Sequence, residues 1–294
     1  MLPVRTFLSF ILHRYPFYGG FETIALSKPL ALFARTETYA IARLRNGDRM
    51  LVVGKDHVGR VILYMGDFEP RISYVAGRLL RPGNCVLDIG SNMGWFSMIA
   101  SRMIGPSGEV HAFEPQPLMN TLLRASLGMN DIENVTIHQV ALSNQNGTAD
   151  LHILNGNCGA ARLSEEQGEL WSTVQIATVD TMPFLERLDL PPVRLMKIDV
   201  EGHEETVFNA AEPFFRKTPP DVVIFESAGA APLLERPVAQ ILEQFGYALF
   251  SLDKAFRRPR LAPAKAGEQV PTIDHIALLK GASLDRDLEL LGRD

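Results

Sequence analysis

The chain has 294 residues, of which 46% are hydrophobic and 21% are charged, a composition typical of a globular protein with a sizeable core. Its formal net charge is −5 and Lys and Arg form no long basic stripe, which argues against a nucleic-acid partner. The two cysteines, Cys85 and Cys158, lie far apart and outside any CxxC pair, so neither a zinc site nor a thiol redox motif is expected. Sparse cysteine use fits a reducing compartment, and we predict a cytoplasmic location.

The first 18 residues combine a short apolar stretch with aromatic and basic residues. The stretch at residues 2–12 is shorter than the roughly 20 residues that a membrane-spanning helix needs. No small-residue cleavage site follows it, so a signal peptide is not predicted. We expect a helix that docks on the core or on a second subunit of a homo-oligomer. The alternative is peripheral membrane contact through residues 1–18.

Short strands are predicted after this segment. Residues 39–44 and 50–53 flank Asn46-Gly47, and Asn-Gly between apolar segments is a strong hairpin signal because both turn residues need a positive φ. Residues 61–64 are a candidate third strand. We therefore predict a helical and β-hairpin extension over residues 1–75 and a main domain over residues 76–294.

From residue 84 onward, short apolar runs alternate with segments of helical pattern. The predicted core strands are 85–89, 110–113, 135–140, 193–198 and 222–225. The predicted helices are 93–104, 117–128, 203–215 and 232–245. Two further strands, 247–252 and 273–279, are predicted near the end of the chain. This alternation predicts an α/β, doubly wound fold whose mostly parallel sheet is covered on both faces. Residues 148–154 and 173–179 are predicted to be inserted strands. Residues 257–271 form a long linker, either a lid or a surface loop.

The turn after the first core strand has the features of a ligand-binding loop. Asp88 ends the strand, and Gly90, Asn92 and Gly94 lead into a helix. Ligands of open α/β sheets lie at the carboxyl ends of strands, and glycines allow close approach of the backbone. Asn92 replaces the second glycine of a GxGxxG motif, which disfavours a pyrophosphate and favours a ligand with an amino-acid end. Asp88 is suited to its ammonium group and the helix N-terminus to its carboxylate.

A second acidic residue, Glu114, follows the next strand within Phe113-Glu114-Pro115. A carboxylate at that place can accept hydrogen bonds from both hydroxyls of a ribose. Together with Asp88 it predicts a pocket for a nucleoside ligand. The structural alternative is that Asp88 caps the turn and Glu114 is solvated.

Several segments resemble, in the same order, the FkbM family of methyltransferases. The most specific is Lys197-Ile198-Asp199-Val200-Glu201-Gly202-His203-Glu204. The others are Phe68-Glu69-Pro70, Val86-Leu87-Asp88-Ile89-Gly90-Ser91-Asn92-Met93-Gly94, Ala112-Phe113-Glu114-Pro115, Val140-Ala141-Leu142-Ser143 and Val179-Asp180.

This resemblance implies a seven-stranded, Rossmann-like class I methyltransferase sheet that uses S-adenosylmethionine. It implies that the loop after the first strand holds the methionine portion of the cofactor, that Glu114 holds the ribose, and that Ala141 lies near the adenine. The expected cofactor-binding residues are Asp88, Gly90, Ser91, Asn92, Gly94, Glu114, Pro115 and Ala141. It also implies transfer of a methyl group to a hydroxyl oxygen, often on a sugar or a natural product.

Charged residues near the end of the fourth core strand are the candidates for catalysis. Lys197, Asp199 and Glu201 alternate, so in an extended strand they share one face. They lie at the carboxyl end, beside the predicted cofactor loop, and charges there are costly unless they are paired or functional. An alcohol needs a general base or a metal ion to help remove its proton.

Asp199 is the first candidate, as base or as metal ligand, with Glu226 as a second ligand of Mg²⁺. His203 is a second candidate base, and Lys197 either steers the acceptor oxygen or neutralises the carboxylates. Structural interpretations stay open: Lys197 as a partner of Asp199, His203 as a solvated helix residue, and Glu204 as an acidic residue that favours a helix start.

The leading functional hypothesis is an O-methyltransferase with a small-molecule or glycan acceptor. One alternative is a nicotinamide-dependent oxidoreductase, which Asn92 disfavours. Another is a catalytically silent relative that binds the cofactor and serves as a partner protein. The acceptor is expected to contact the N-terminal extension, residues 155–172 and the 257–271 linker.

Overall fold

A computed structural model describes residues 8–9, 11–28, 30, 38–163, 171–253, 259–270, 272–281 and 284–292. Residues 1–7 and 10 of the predicted membrane-contact segment lie outside these ranges, as do 164–170 and parts of the 257–271 linker. The strands are β1 (Tyr39–Arg43), β2 (Arg49–Val53), β3 (Cys85–Ile89), β4 (Glu109–Phe113), β5 (Val135–His138), β6 (Ala141–Ser143), β7 (Gly147–Leu154), β8 (Asn157–Arg162), β9 (Trp171–Asp180), β10 (Val193–Ile198), β11 (Val222–Glu226), β12 (Tyr247–Leu252), β13 (Leu261–Pro263) and β14 (Asp274–Leu279).

The described helices alternate with these strands through most of the chain. They are α1 (Phe21–Ala25), α2 (His57–Met65), α3 (Pro70–Leu79), α4 (Trp95–Ile104), α5 (Pro117–Gly128), α6 (Thr181–Arg187), α7 (Glu204–Ala210), α8 (Glu212–Lys217), α9 (Pro237–Gln244) and α10 (Leu284–Gly292), with a 3₁₀ turn at Leu233–Glu235. Among the described residues, no helix combines the length and the apolar character that a bilayer crossing requires.

The main sheet has the strand order β13-β12-β14-β11-β10-β3-β4-β5. The strands from β5 to β11 in this order are parallel, whereas β14 runs antiparallel to both β11 and β12. The strand order reverses between β3 and β10, so the predicted α/β, doubly wound, Rossmann-like fold is confirmed. Beyond the seven expected strands, the short β13 adds an eighth at the edge, from within the predicted linker.

Two hydrophobic layers cover the faces of the main sheet. Alternate side chains of one strand enter different layers: Val86 packs in one, and Leu87 in the other. All five residues of β3 and all six of β10 are buried, as expected for central parallel strands. Burying each large apolar side chain contributes about 1.5–3 kcal/mol, so these central strands are a rigid base for the loops that follow them.

The inserted strands form a separate four-stranded sheet in the order β6-β9-β7-β8. The predicted strands at 148–154 and 173–179 are confirmed as β7 and β9. The predicted strand at 135–140 ends earlier, at His138, and β6 begins at Ala141. Strand β8 was not predicted because its sequence, Asn-Cys-Gly-Ala-Ala-Arg, contains small and polar residues of low strand propensity.

The predicted hairpin is confirmed as β1 and β2, with Gly47 at a φ of 97° in the turn. The predicted third strand at 61–64 is wrong, because these residues lie in α2. Asp56 begins this helix by accepting the backbone N–H groups of Val58 and Gly59, and Gly66 ends it at a φ of 69°. Caps at both ends thus outweigh the strand propensity of Val, Ile and Tyr.

Proline positions explain the differences in the helical segments. The predicted helix at 203–215 divides into α7 and α8 at Ala211, because Pro213 lies in the first turn of the second helix, where its missing N–H is tolerated. The predicted helix at 232–245 likewise divides before Pro237. Helices α3, α6 and α10 were not predicted. The boundary proposed at 75/76 lies inside α3, and the division into extension and main domain stays a prediction.

Candidate active site

A cavity of about 730 Å³ opens over the carboxyl ends of β3, β4, β10 and β11, where the strand order reverses. Its floor is formed by the loops after β3 and β10. Strand β8, the start of α2 and residues 18–23 line its other sides. All the predicted cofactor-binding and catalytic residues except Gly94 line this cavity.

Glycine is required in the loop after β3 for two reasons. Gly90 has a φ of 82°, and a Cβ there would overlap the carbonyl oxygen of Asp199 in the loop after β10. The two loops are joined at this point, because the Asp199 N–H donates to the Ile89 carbonyl at 3.0 Å. Gly94, also left-handed, packs against the Leu123 side chain, where a Cβ would clash. The loop sequence therefore allows the cofactor loop and the catalytic loop to touch.

Asp88 combines the structural and the ligand-facing interpretations. It is fully buried, and its Oδ2 accepts a hydrogen bond from the Ser97 hydroxyl in the first turn of α4. Its Oδ1 is buried and has no hydrogen-bond partner among the described residues. Burial raises the pKa of Asp88 to about 6, and the nearby Lys197 opposes that rise. An unpartnered buried carboxylate oxygen at the cavity floor is suited to a cationic ligand group.

Glu114 braces the loops around the cavity. Its Oε2 accepts the Asn92 N–H and its Oε1 accepts the Gln116 N–H, both at 2.8 Å. The side chain is buried, so the solvated alternative for Glu114 is wrong. Burial raises the pKa of Glu114 to about 7, and the two backbone hydrogen bonds oppose that rise. Each carboxylate oxygen keeps a further lone pair for a hydroxyl donor.

The remaining predicted cofactor residues line one continuous wall. The hydroxyl of Ser91 is buried and makes no hydrogen bond among the described residues. Pro115 follows Glu114 along the cavity edge. Ala141 lies between Val140 and Leu142 and forms an apolar surface.

Strand β8 covers the cavity, and this cover was not predicted from the sequence. The Cys158 N–H donates to Asp56, the capping residue of α2, and the Cys158 carbonyl accepts from Gln116 at 3.3 Å. A Cβ on Gly159 would lie 3.2 Å from the Asn92 amide nitrogen, so β8 passes close over the cofactor loop. Asp56 before an apolar segment was a recognisable N-cap signal for α2, but nothing in the sequence linked it to β8.

Lys197 lies at the centre of the charged residues. Its ammonium is 2.9 Å from Asp199 Oδ2 and 3.6 Å from Glu69 Oε2. Burial lowers the pKa of Lys197, but the surrounding carboxylates outweigh burial and raise it well above its usual value. Lys197 is therefore a charged partner of Asp199. Glu69 belongs to a segment that resembles the family, yet sequence reasoning gave it no role.

Glu226 meets carboxylates from two other elements. Because β14 runs antiparallel, its first residue Asp274 pairs with Glu226, the last residue of β11. Carboxylate oxygens of Glu69, Glu226 and Asp274 all lie within 4.8 Å of one another. Asp274 also forms an ion pair with Arg71 at 2.8 Å. Asp199, which was predicted to hold the metal ion together with Glu226, is not part of this group.

Burial dominates the titration of these carboxyl groups. It raises the pKa of Glu69 to about 8 and that of Glu226 to about 9, and the negative charge of Asp199 adds to both rises. Lys197 opposes both rises. Glu69 and Glu226 therefore hold their protons more tightly than ordinary carboxyl groups do.

The prediction that Glu201 continues the strand face is wrong. Strand β10 ends at Ile198, and Glu201 lies in a turn with a φ of 53°, its carboxylate 4.0 Å from Arg162. Glu201 still lines the cavity. Burial raises its pKa to about 7, and the charge of Asp199 adds to the rise.

His203 and Glu204 have specific contacts at the start of α7. His203 Nε2 lies 3.2 Å from the Ser143 hydroxyl, and burial lowers the pKa of this imidazole. His203 is half-buried at the cavity wall, so the solvated alternative is wrong. Glu204 accepts the N–H groups of Val200 at 3.0 Å and Gly202 at 3.1 Å, so it stabilises the catalytic loop.

Comparison with known proteins defines the class. The family model for the methyltransferase FkbM domain matches residues 88–249, more than half of the chain. The doubly wound sheet and the match define an S-adenosylmethionine-dependent methyltransferase. The chain belongs to the FkbM methyltransferase family.

Three curated relatives are each 26% identical in sequence. The match to 31-O-demethyl-FK506 methyltransferase FkbM of Streptomyces tacrolimicus covers 51% of this chain and 68% of that protein. The match to 2-O-methyltransferase NoeI of Sinorhizobium fredii covers 49% and 64%. The match to an arsenite methyltransferase of Halobacterium salinarum covers 38% of this chain and 32% of that protein. In the arsenite methyltransferase and in NoeI, more than a third of the relative's own length thus lies outside the match.

Solved structures of methyltransferases are also similar to this chain. Precorrin-6y C5,15-methyltransferase from Geobacter metallireducens has a TM-score of 0.42 and 16% identity, covering 72% of this chain and 89% of its own. An S-adenosylmethionine-dependent O-methyltransferase from Thermotoga maritima has a TM-score of 0.42 and 14% identity, covering 83% and 78%.

Proposed function

We propose that this chain transfers the methyl group of S-adenosylmethionine to a hydroxyl oxygen of a small, polyhydroxylated acceptor, such as a sugar, a glycan or a glycosylated natural product. The observation that supports it most is the Lys197–Asp199 ion pair, which faces the same cavity as the cofactor loop. The printed names of two relatives, a 31-O-demethyl-FK506 methyltransferase and a 2-O-methyltransferase, also support an oxygen acceptor.

The residues of the cavity floor fit the proposed cofactor. Asp88 Oδ1 and Ser91 Oγ are buried polar atoms without a partner among the described residues. We assign Asp88 to the ammonium group, Glu114 to the ribose hydroxyls and the Ala141 wall to the adenine. When bound, S-adenosylmethionine supplies an electrophilic methyl group on a positively charged sulfur.

Asp199 is proposed as the general base. An alcohol is a poor nucleophile, so its proton has to pass to a nearby base as the oxygen takes the methyl group. Asp199 Oδ2 is held by Lys197, which fixes the carboxylate and leaves Oδ1 for the acceptor hydroxyl. Asp199 would hold the proton until it is released to water, with the neutral demethylated cofactor as the leaving group. His203 is the second candidate base.

We propose a Mg²⁺ site at Glu69, Glu226 and Asp274. Carboxylate oxygens of Glu69, Glu226 and Asp274 lie within 4.8 Å of one another, and burial raises the pKa values of the two glutamates. A divalent ion at this point would stabilise the ionised carboxylates, and an all-oxygen set of ligands suits Mg²⁺. The ion would stabilise the developing alkoxide of the acceptor. This replaces the predicted pair of Asp199 and Glu226.

The test is transfer of a labelled methyl group to a panel of sugars, lipid-linked sugars and glycosylated natural products, with calorimetry of cofactor binding alongside. Transfer to a hydroxyl, lost in Asp199→Asn while cofactor binding persists, supports the proposal. Cofactor binding without transfer to any acceptor, in wild type as in the variant, favours the silent partner protein. Loss of transfer in EDTA that Mg²⁺ restores supports the metal site, and full transfer in EDTA contradicts it.

The other predictions about surroundings stay predictions. They are the absence of a nucleic-acid partner, homo-oligomer formation, peripheral membrane contact through residues 1–18 and the cytoplasmic location.

A further inference from the structure

A second group of metal-ligating side chains lies at the opposite edge of the sheet from the cavity. Cys85 is the first residue of β3, and Glu109 is the first residue of β4. The parallel register places Cys85 beside Glu109 and Leu87 beside His111. Because side chains alternate along a strand, Cys85, Glu109 and His111 share one face of the sheet.

The three donor atoms have the spacing of a metal site. The Cys85 sulfur, a Glu109 oxygen and a His111 nitrogen all lie within 4.8 Å of one another. His111 Nε2 is 3.5 Å from Glu109 Oε1. Zinc bonds of about 2.0–2.2 Å at tetrahedral angles place nitrogen and oxygen ligands about 3.4 Å apart. The spacing between the imidazole and the carboxylate therefore already matches that of a zinc site.

His111 points an unpartnered atom into this group. Its side chain is 10% exposed, and its Nε2 is buried and makes no hydrogen bond among the described residues. The contact with Glu109 is longer than a good N–H···O hydrogen bond of 2.7–3.2 Å. A buried ring nitrogen in this position needs a partner, and a metal ion between it, the carboxylate and the sulfur supplies one.

The other nitrogen of His111 is held by a second histidine. Its Nδ1 lies 3.0 Å from His138 Nε2, and the two rings are stacked at 5°. His138 also stacks on Phe113 and meets the edge of Phe184, so its position is fixed by packing. A histidine ligand is commonly oriented in this way by a hydrogen bond at its second ring nitrogen.

We propose that Cys85, Glu109 and His111 form a zinc site with water as the fourth ligand. Sulfur and nitrogen donors favour Zn²⁺ over Mg²⁺ or Ca²⁺. On binding, the Cys85 thiol releases one proton to water, and thiolate and carboxylate together balance the two charges of the ion. Glu109 is 44% exposed and provides the route of entry. The ion joins β3 to β4 at the edge opposite the cofactor and has no role in methyl transfer.

The absence of a CxxC pair is compatible with this site. Sequence reasoning required the ligands to be close in the chain, but Cys85 and Glu109 are brought together by pairing of two strands. No spacing rule in a single sequence predicts the register of two parallel strands.

The test uses the full-length protein, stripped of metal and titrated with Zn²⁺ against a chromophoric chelator, and separately with Co²⁺. We expect one tight equivalent of zinc, a thiolate-to-cobalt charge-transfer band, and a higher Tm with zinc. Cys85→Ser and Glu109→Gln should each lose the tight equivalent, and Cys85→Ser should also lose the band. His138→Phe, which keeps the stacking, should weaken zinc binding about 10–100-fold.

Controls separate this site from other ligands and from misfolding. Cys158→Ser should keep the cobalt band, Glu133→Gln should bind zinc as wild type does, and Glu226→Gln should keep the tight equivalent. Circular dichroism and thermal unfolding of each metal-free variant check that it is folded. If Cys85→Ser misfolds, Glu109→Gln gives the decisive result, because the Glu109 side chain is half-exposed and its substitution perturbs the core less. A wild-type protein without a tight equivalent, or tight binding that Glu109→Gln leaves unchanged, overturns the proposal.

Discussion

The two edges of the main sheet share the same strands but differ in how their polar groups are satisfied. At the carboxyl edge, Asp88 is buried and Glu226 is half-buried, both have raised pKa values, and Asp88 has an oxygen without a partner among the described residues. At the amino edge, Arg194 makes two hydrogen bonds with Asp287, at 2.6 and 2.9 Å, and a third with Asp221 at 3.0 Å. The carboxyl groups with raised pKa values thus lie at the edge that we propose binds the cofactor and the acceptor, whereas the Arg194 group at the amino edge is fully paired.

This difference suggests a division of labour between the two edges. At the amino edge, Arg194, Asp221 and Asp287 pair with one another and attach α10 to the sheet, so they contribute to stability, whereas His111 of the proposed zinc site keeps an unpartnered ring nitrogen among the described residues. At the carboxyl edge, the polar groups remain available for the proposed cofactor, acceptor and cation. Substitutions at the two edges should therefore change different measured quantities.

The largest effect is expected for Gly90→Ala at the carboxyl edge. The added Cβ overlaps the Asp199 carbonyl in a left-handed backbone, so both loops would have to move. We expect a loss of more than about 4 kcal/mol in the free energy of unfolding, measured by denaturant titration. The matched control is Gly83→Ala before β3, where the nearest atom is 3.8 Å away. It should lose only about 1–2 kcal/mol, and equal losses at both glycines would contradict the close approach of the loops.

Asp199→Asn should reduce kcat about 10²–10⁴-fold, because the proposed base is removed while the shape is kept. Cofactor affinity in calorimetry should stay near the wild-type value, whereas Tm should fall because the buried Lys197 ammonium loses its nearest partner, so kcat is compared at a temperature well below both Tm values. The control is Asp150→Asn, an exposed residue of β7, which should leave kcat unchanged. A kcat that survives Asp199→Asn would transfer the role of base to another group, with His203 tested next.

Asp287→Asn should lose about 3–5 kcal/mol of stability, because it leaves the buried Arg194 guanidinium without its main partner. Thermal or denaturant unfolding measures the change, and kcat at a temperature well below Tm should be unaffected. Asp285→Asn, an exposed neighbour in the same helix, should change stability by less than about 0.5 kcal/mol. A large drop in kcat with Asp287→Asn would contradict the separation of the two edges.

The smallest effect is expected in the pH dependence of cofactor binding. Burial raises the pKa of Glu114 to about 7, and only the ionised carboxylate accepts hydrogen bonds from both ribose hydroxyls at its two oxygens. Affinity should therefore rise as pH increases through that value, by about tenfold over two pH units. Calorimetry of the wild type and of Glu114→Gln over the same pH range isolates the contribution of Glu114 ionisation to cofactor affinity. An identical pH profile in the two proteins would remove Glu114 from the ribose site.

Much of the cofactor site could be predicted from the sequence because its parts are contiguous. Asp88, Gly90, Asn92 and Gly94 lie in one short loop, and their order after an apolar strand predicts a turn with close backbone approach. Glu114 was found for the same reason, as an acidic residue directly after the next strand. Its hydrogen bonds to Asn92 and Gln116 could not be predicted, because they depend on how the two loops pack.

The group of charged residues that we propose for catalysis was predicted less completely. Lys197 and Asp199 were identified because they are only two residues apart in the sequence. Glu201 was misplaced, because the strand ends at Ile198 and the backbone turns before it. Glu69 and Asp274 received no role, because one comes from a helix before the main sheet and the other from a strand near the end of the chain.

The sequence alone determined the fold class and the family, and it predicted the loop that we propose holds the cofactor, because hydrophobic periodicity and short motifs act over a few consecutive residues. Only the tertiary structure decided which distant charges meet. The antiparallel direction of β14 brings Asp274 to Glu226, and the register of β3 and β4 brings Cys85 to Glu109. Strand direction and register are set by the packing of the whole sheet, so no local pattern of residues contains them.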